Sequence, residues 1–294
     1  MIKRTLFFTT PCRLSTRNRQ LIVEHSENQD TTTVPIEDIG IIIVENQRVS
    51  ISIPALNALC DNNCAVVLCD ERHMPASMLM PLESNSVQAE TYKFQMEVGT
   101  SLKKRLWKQV VEAKIKNQAA VLNAIGQDGT ILKPYYSNVK SGDSDNREGI
   151  AARVYWNALF GKGFVRDTDE EGINTLLNYG YAVLRAGMAR AIMGSGLYPA
   201  FGLFHKNRYN AFPLADDLME PFRPFVDEIV FGLIQEGDLT LDTGAKQALA
   251  RVLFRDTRIG EIARPLEISL SQTSSSFAKC LRGEVTKIVF PILE

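Results

Sequence analysis

Up to about residue 82 the hydrophobic positions fall in short runs that alternate with polar residues or cluster tightly, the pattern of strands. Leu21-Ile22-Val23, Ile39 to Val44, the alternating Val49-Ser50-Ile51-Ser52-Ile53, and Ala65 to Cys69 are each bounded by turn residues. Pro54-Ala55-Leu56-Asn57-Ala58-Leu59-Cys60 interrupts the series. A proline suits a first helical turn and the leucines recur at helical spacing, so one short helix is predicted there. Between Pro81 and Val87 the chain becomes polar and loses its period, which marks a domain boundary.

Helical periods take over beyond that point. From about Gln88 to Ile125 the apolar positions 102, 106 and 110 line one face, while Lys103, Lys104, Arg105, Lys108, Lys114 and Lys116 crowd the others. Further helices are predicted at about 145–160, 169–194, 214–235 and 242–254. Arg251, Arg255 and Arg258 follow an i, i+4, i+7 spacing and are expected to form a second basic stripe on the last of these. The predicted class is α+β, with a small N-terminal β domain at 1–85 and a larger all-α C-terminal domain at 86–294.

Composition adds bounds rather than a function. Apolar residues make up 45% and charged residues 23%, the balance of a soluble globular chain able to bury a sizeable core. A formal net charge of -1 gives no global attraction to nucleic acid, so any DNA-binding surface is local, and the two basic stripes are its candidates. The Leu6-Phe7-Phe8 run is too short for a signal-peptide core and no apolar stretch approaches the ~20 residues of a membrane span. A cytoplasmic protein is expected. Cysteines at 12, 60, 64, 69 and 280 form no C-x-x-C pair and no common zinc spacing, so reduced thiols in the core are expected.

Three segments carry candidate chemistry. His205 follows a break made by Gly194, Gly196 and Pro199, and the two other histidines, His25 and His73, lie in the β domain. Asp217 and Glu220 stand at i, i+3 and share a helix face, although Glu220 is equally placed to pair with Arg223. Glu148 lies three residues after Asp145, as in a capping-box variant, and beside the small residues Gly149, Ala151 and Ala152, which suit a site assembled between helices. Two carboxylates and one imidazole make a reasonable donor set for Mg²⁺ or Mn²⁺. The H-E-x-x-H spacing of zinc proteases and the P-loop are both absent. The open alternatives are local capping for Glu148 and a structural role for His205.

Taken together, Arg147 to Arg153, Gly202 to Asn207 and Asp216 to Pro224 resemble the CRISPR-associated endonuclease and integrase of the adaptation stage, the larger of the two universal adaptation proteins. Leu106 to Val111, Lys114 to Gln118, Leu177 to Tyr181 and Pro35 to Ile39 look like further family segments in the right order, and Asp217 to Asp227 is most similar to type II versions. The resemblance implies a metal site of Glu148, His205 and Glu220 with Asp217 in support. It also implies a homodimer made partly through the β domains, a small dimeric adaptation partner, and double-stranded DNA as substrate. The implied reaction inserts a captured spacer fragment into a CRISPR repeat by 3′-hydroxyl attack on a phosphodiester. A water-using structure-selective nuclease and a non-enzymatic DNA-binding scaffold are the rival readings. Phe204 stands before His205 where several relatives carry a polar residue or a second histidine.

Overall fold

The computed structural model describes residues 3–26, 30–205, 207–237 and 239–293, and it divides into two units, Met1–Ser86 and Val87–Glu294. Among the described residues the first unit has β1 (Arg4–Phe8), β2 (Cys12–Arg17), β3 (Gln20–His25), β4 (Thr31–Pro35), β5 (Ile39–Val44) and β6 (Ser50–Ile51), then helix α1 (Ile53–Asp61) and strands β7 (Ala65–Cys69) and β8 (Pro75–Leu79). They form two four-stranded sheets, ordered β1-β5-β7-β8 and β4-β3-β2-β6. In the first, β1, β5 and β7 run parallel and β8 closes the edge antiparallel. Every residue of β5 is buried, as its unbroken run Ile39-Gly40-Ile41-Ile42-Ile43-Val44 requires of a central parallel strand.

The alternating stretch 49–53 yields only the two-residue β6. Pro54 has no N–H for a ladder and sits in the first turn of α1, so Ile53 joins the helix instead. Leu14, Leu21, Val23, Ile36, Ile39, Ile42, Ala55, Leu59 and Val66 form the core of this unit, and Cys12 and Cys64 pack into it as small apolar residues. All five cysteines are free thiols.

The second unit is built on long helices: α2 (Gln88–Glu97), α3 (Thr100–Ala124), the single turn α4 (Lys133–Tyr136), α5 (Arg147–Phe160), α6 (Ile173–Gly194), α7 (Pro213–Met219), α8 (Arg223–Gln235) and α9 (Thr243–Ala250). Strands β9 (Asp256–Ile259) and β10 (Ile262–Pro265) and helix α10 (Leu266–Leu281) complete it. Helix α6 is buried along most of its length, from Leu176 to Met193. The predicted helix at 214–235 is divided because Pro213, Pro221 and Pro224 each open a new piece, and Glu220 falls in the 3₁₀ turn between α7 and α8.

The helical unit is not wholly α. Beyond α9 and one 3₁₀ turn, Arg255 is extended and Asp256 to Pro265 folds into a two-stranded ribbon turning at Gly260-Glu261. Thr257 is the reason the helical period fails. Its side chain is buried, where it donates to Arg264 O at 3.1 Å and meets Ser269 Oγ at 2.6 Å. The expected stripe of Arg251, Arg255 and Arg258 therefore does not exist as one helix face, and Arg255 is already paired with Glu228 at 2.6 Å. No helix among the described residues is long and apolar enough to cross a membrane.

Candidate functional site

The site is assembled in the second unit from α3, α5, the loop before α7 and the α7–α8 turn. Helix α3 presents Trp107, Val111, Lys114 and Gln118 at i, i+4, i+7 and i+11, so Lys114 falls on the inward face. Its ammonium lies 2.6 Å from Glu148 Oε1 and 2.6 Å from Glu220 Oε2. Its side chain is only 13% exposed. The Glu148 contact is a hydrogen bond, whereas Glu220 Oε2 is close to the ammonium without the alignment of one.

Glu148 is free to reach Lys114 because other groups cap its helix. Asp143 accepts from Arg147 N–H at 2.7 Å and Glu148 N–H at 3.0 Å, and Asn146, in a left-handed conformation, accepts from Gly149 N–H at 3.2 Å. The capping-box alternative for Asp145 and Glu148 does not form. Asp145 instead binds Arg147 at 2.9 Å, since Asn146 and Asp143 already satisfy the first N–H groups of α5.

Glu220 is 5% exposed, and Arg223 Nε stands 3.0 Å from its other oxygen, the i, i+3 pair legible in the sequence. Burial pushes the Glu220 carboxyl up, but Arg223 and Lys114 together outweigh it and hold it below the usual carboxylate range. Burial likewise disfavours the Lys114 charge, and the two glutamates more than reverse this, keeping the ammonium protonated well above its ordinary range.

Asp217 is wholly buried, and it organises the histidine loop. Oδ2 accepts from Leu203 N–H at 2.6 Å and Phe204 N–H at 2.9 Å, while Oδ1 accepts from His205 N–H at 3.2 Å and meets His205 Nδ1 at 2.5 Å. The turn that makes this possible needs Gly202. A Cβ there would lie 2.6 Å from His205 O and 2.9 Å from Pro213 Cβ. The hydrogen bond to Asp217 raises the His205 pKa; burial opposes it, and the charges of Asp217, Glu220 and Glu148 add to the rise.

The structure therefore joins Glu148 and Glu220 directly through one cation and sets His205 beside them, within reach of both their charges. No hydrogen bond links His205 to either glutamate, and no preformed cluster of three acidic, cysteine or histidine ligands stands among the described residues. The space between the carboxylates belongs to the ammonium of Lys114. Two 2.6 Å contacts through a single nitrogen put the two oxygens no more than about 5 Å apart, close to the roughly 4 Å that two Mg²⁺–oxygen bonds of about 2.0–2.1 Å span.

Sequence reasoning placed Lys114 among surface charges. Its position on the buried i, i+4, i+7 row was the signal that set it apart. It also missed a buried layer behind Arg223. Asp227 accepts from Tyr155 Oη at 3.0 Å and closely from Tyr181 Oη, and the Tyr181 ring carries the Arg223 guanidinium 4.6 Å from its centroid. Burial raises the Asp227 carboxyl to about 7, against the pull of the two hydroxyls and of Arg223.

The family model "CRISPR associated protein Cas1" matches residues 6–266. The chain belongs to the Cas1 family. The CRISPR-associated endonuclease Cas1 of Neisseria meningitidis serogroup C (strain 8013) is 41% identical over 257 residues, 86% of this chain and 84% of that relative. Among solved structures, a casposase bound to integration product superposes with a TM-score of 0.79 at 22% identity, over 98% of this chain and 92% of that one. A chain of a Cas6-RT-Cas1–Cas2 complex gives 0.75 at 17% identity, over 99% of this chain and 36% of that one. A β-rich N-terminal region followed by a helical part is the Cas1 fold, and the Neisseria relative is a CRISPR-associated endonuclease.

Proposed function

We propose that Glu148, His205 and Glu220 hold a Mg²⁺ or Mn²⁺ ion at which the chain joins a spacer 3′-hydroxyl to a phosphodiester of the CRISPR repeat. The observation that carries this reading is the convergence of Glu148 and Glu220 on one buried cation beside a histidine whose Nδ1 is already engaged. The donor set fits a divalent ion. The Glu220 carboxyl is held below the usual carboxylate range, its Oε2 lacks an aligned hydrogen bond, and the Asp217 tether leaves His205 Nε2 as the free ring nitrogen. When bound, such an ion supplies Lewis-acid polarisation of the phosphoryl oxygen and a lowered pKa at the attacking hydroxyl.

The protein's own groups supply position and charge. Asp217 fixes the imidazole, Arg223 fixes Glu220, and Lys114 balances the carboxylates. The substrate is double-stranded DNA, both spacer fragment and repeat. The solved neighbour in complex with Cas2 supports a small dimeric adaptation partner, and we place homodimer contacts on the N-terminal unit and the reaction in the cytoplasm.

The test is strand joining. A labelled duplex with free 3′-hydroxyls is incubated with a repeat-bearing plasmid, the partner protein and Mn²⁺. Glu148→Ala, His205→Ala and Glu220→Ala, each folded, are expected to lose joined product by 100-fold or more. Wild-type joining in any of the three would overturn the assignment, and cleaved product without joined product would favour water as the attacker.

A further inference from the structure

Helix α6 is largely apolar, yet Asn174, Asn178, Tyr181 and Arg185 stand at i, i+4, i+7 and i+11 and make one polar row along it. Each member of the row holds a group from another segment. Asn174 Oδ1 and Asn178 Oδ1 accept from the Arg166 guanidinium at 3.0 and 2.6 Å. The Tyr181 ring carries two guanidiniums, Arg223 at 4.6 Å and Arg166 at 5.4 Å from its centroid. Arg185 pairs with Asp216 at 2.8 Å and donates to Asn210 Oδ1 at 2.6 Å, which ties down the chain next to Asp217.

The third member bears on the site. Arg223 Nε stands 3.0 Å from Glu220 Oε1 but makes no aligned hydrogen bond among the described residues. In an aligned arginine–carboxylate pair, two parallel hydrogen bonds let the carboxylate place the guanidinium. Arg223 lacks that guide at Nε, and its planar group is set instead by the ring behind it. The ring is itself well fixed. Tyr181 is 6% exposed, and its hydroxyl donates to Asp227, which is 1% exposed and accepts from Tyr155 Oη at 3.0 Å as well. The chain of contact thus runs from Asp227 through Tyr181 and Arg223 to Glu220, across α8, α6 and the α7–α8 turn.

We infer that Tyr181 is a positioning residue for Glu220, acting through Arg223, an inference that rests on the metal site proposed above. The ring fixes the guanidinium, and the guanidinium fixes and neutralises the carboxylate without an aligned bond from Nε to its oxygen. Glu220 is thereby kept charged and pointed toward Glu148 while its oxygens stay available for coordination. Arg185, one turn further along the same face, registers the segment that carries Asp217. The anchors of Glu220 and of His205 therefore take their spacing from a single helix face.

The experiment uses the full chain, first in EDTA. The Arg223 Nε–Hε signal, assigned by its loss in Arg223→Lys, is measured for mobility by NMR relaxation. It is expected to be rigid in the wild type and in Tyr181→Phe, and to fall below an order parameter of about 0.6 in Tyr181→Leu. Calorimetric titration with Mn²⁺ follows. Tyr181→Leu should weaken binding by about 10- to 100-fold, as loss of an outer support to a metal ligand does, and Tyr181→Phe should restore most of it. In an Arg223→Gln background Tyr181→Leu should add nothing further. Tyr181→Met, which fills similar space without a ring, takes the place of leucine if that variant does not fold. A rigid Arg223 in the folded ringless variant would overturn the inference, as would a lower Tm with unchanged Mn²⁺ affinity. If instead Glu220→Ala binds Mn²⁺ as the wild type does, the metal assignment falls, and the signal in EDTA still decides whether Tyr181 places Arg223.

Discussion

Asp217→Asn is the sharpest perturbation of the site, because the carboxylate receives four contacts and is fully buried. An amide has one acceptor oxygen, and its orientation is decided by which donors it abandons. With the NH₂ toward Leu203 and Phe204, one buried and one part-buried N–H lose their acceptor, at about 1–3 kcal/mol for the buried one. With the NH₂ toward His205, only the His205 N–H is lost, so this orientation is preferred. Its consequence is chemical. The NH₂ now donates to Nδ1, the imidazole proton moves to Nε2, and the nitrogen assigned to the metal no longer offers a lone pair. Losing one backbone hydrogen bond to a charged acceptor costs about 1.5–3 kcal/mol, or roughly 3–12 °C in Tm for a domain of this size. Mn²⁺ affinity should fall by at least 10- to 100-fold, and calorimetric titration of the folded variant measures it. Asp217→Asn should also add nothing further in a His205→Ala background, since both changes remove the same ligand. Wild-type Mn²⁺ affinity in a folded Asp217→Asn protein would refute the reasoning, and a lower Tm with unchanged affinity would reduce Asp217 to a loop anchor.

Lys114→Met removes the cation between two carboxylates while keeping the stem, so in EDTA the protein should lose about 3–5 kcal/mol, the usual cost of breaking a buried pair. Mn²⁺ should then raise its Tm more than it raises that of the wild type, and an equal shift in thermal melts would count against a shared cation position. Asp227 gives a pH signature. Its carboxyl titrates at about 7 in the fold against an ordinary 3.8, so between those limits the folded chain holds a proton that the unfolded chain has released. Stability should therefore fall as pH rises from about 4 to 7, by up to roughly 4 kcal/mol, and then level off. Asp227→Asn can still bond both tyrosine hydroxyls and should flatten that slope; denaturant melts from pH 4 to 8 that kept it would refute the assignment.

The strands and helices that were legible in the sequence share one property, which is that their hydrophobic period agrees with their local chemistry. Ile39–Val44 is an unbroken apolar run and forms a buried strand, and Pro54 opens α1 where a proline is tolerated. Legibility failed where tertiary packing overrode a local pattern. The arginines at 251, 255 and 258 have helical spacing, yet the buried hydroxyl of Thr257 finds its partners in a strand. The site divides in the same way. Glu148, His205 and Glu220 were candidates as acids and a histidine near glycines and prolines, the family resemblance joined them into one set, and Asp217 shares a face with Glu220. Lys114 was hidden among five other basic residues of one helix, and only the inward row through Trp107, Val111 and Gln118 distinguishes it. Asp227 and its two tyrosines were not legible at all, because hydrogen bonds between residues 46 and 72 positions apart leave no local trace.

Lys114 also bears on why the carboxylates of Glu148 and Glu220 can stand so close. With no cation beside it, the buried Glu220 carboxyl would be driven to take up a proton, since burial alone raises its pKa. A protonated ligand must then release that proton before it can coordinate. The ammonium prevents this by keeping Glu220 ionised in advance, and Arg223 acts on the same carboxylate from its other oxygen. The cost is competition, because an incoming divalent ion must displace a well-held ammonium, and apparent affinity is reduced accordingly. His205 carries no such competitor at its free nitrogen: the Asp217 tether takes Nδ1 alone, so the imidazole is oriented whether or not the carboxylates have exchanged one cation for another.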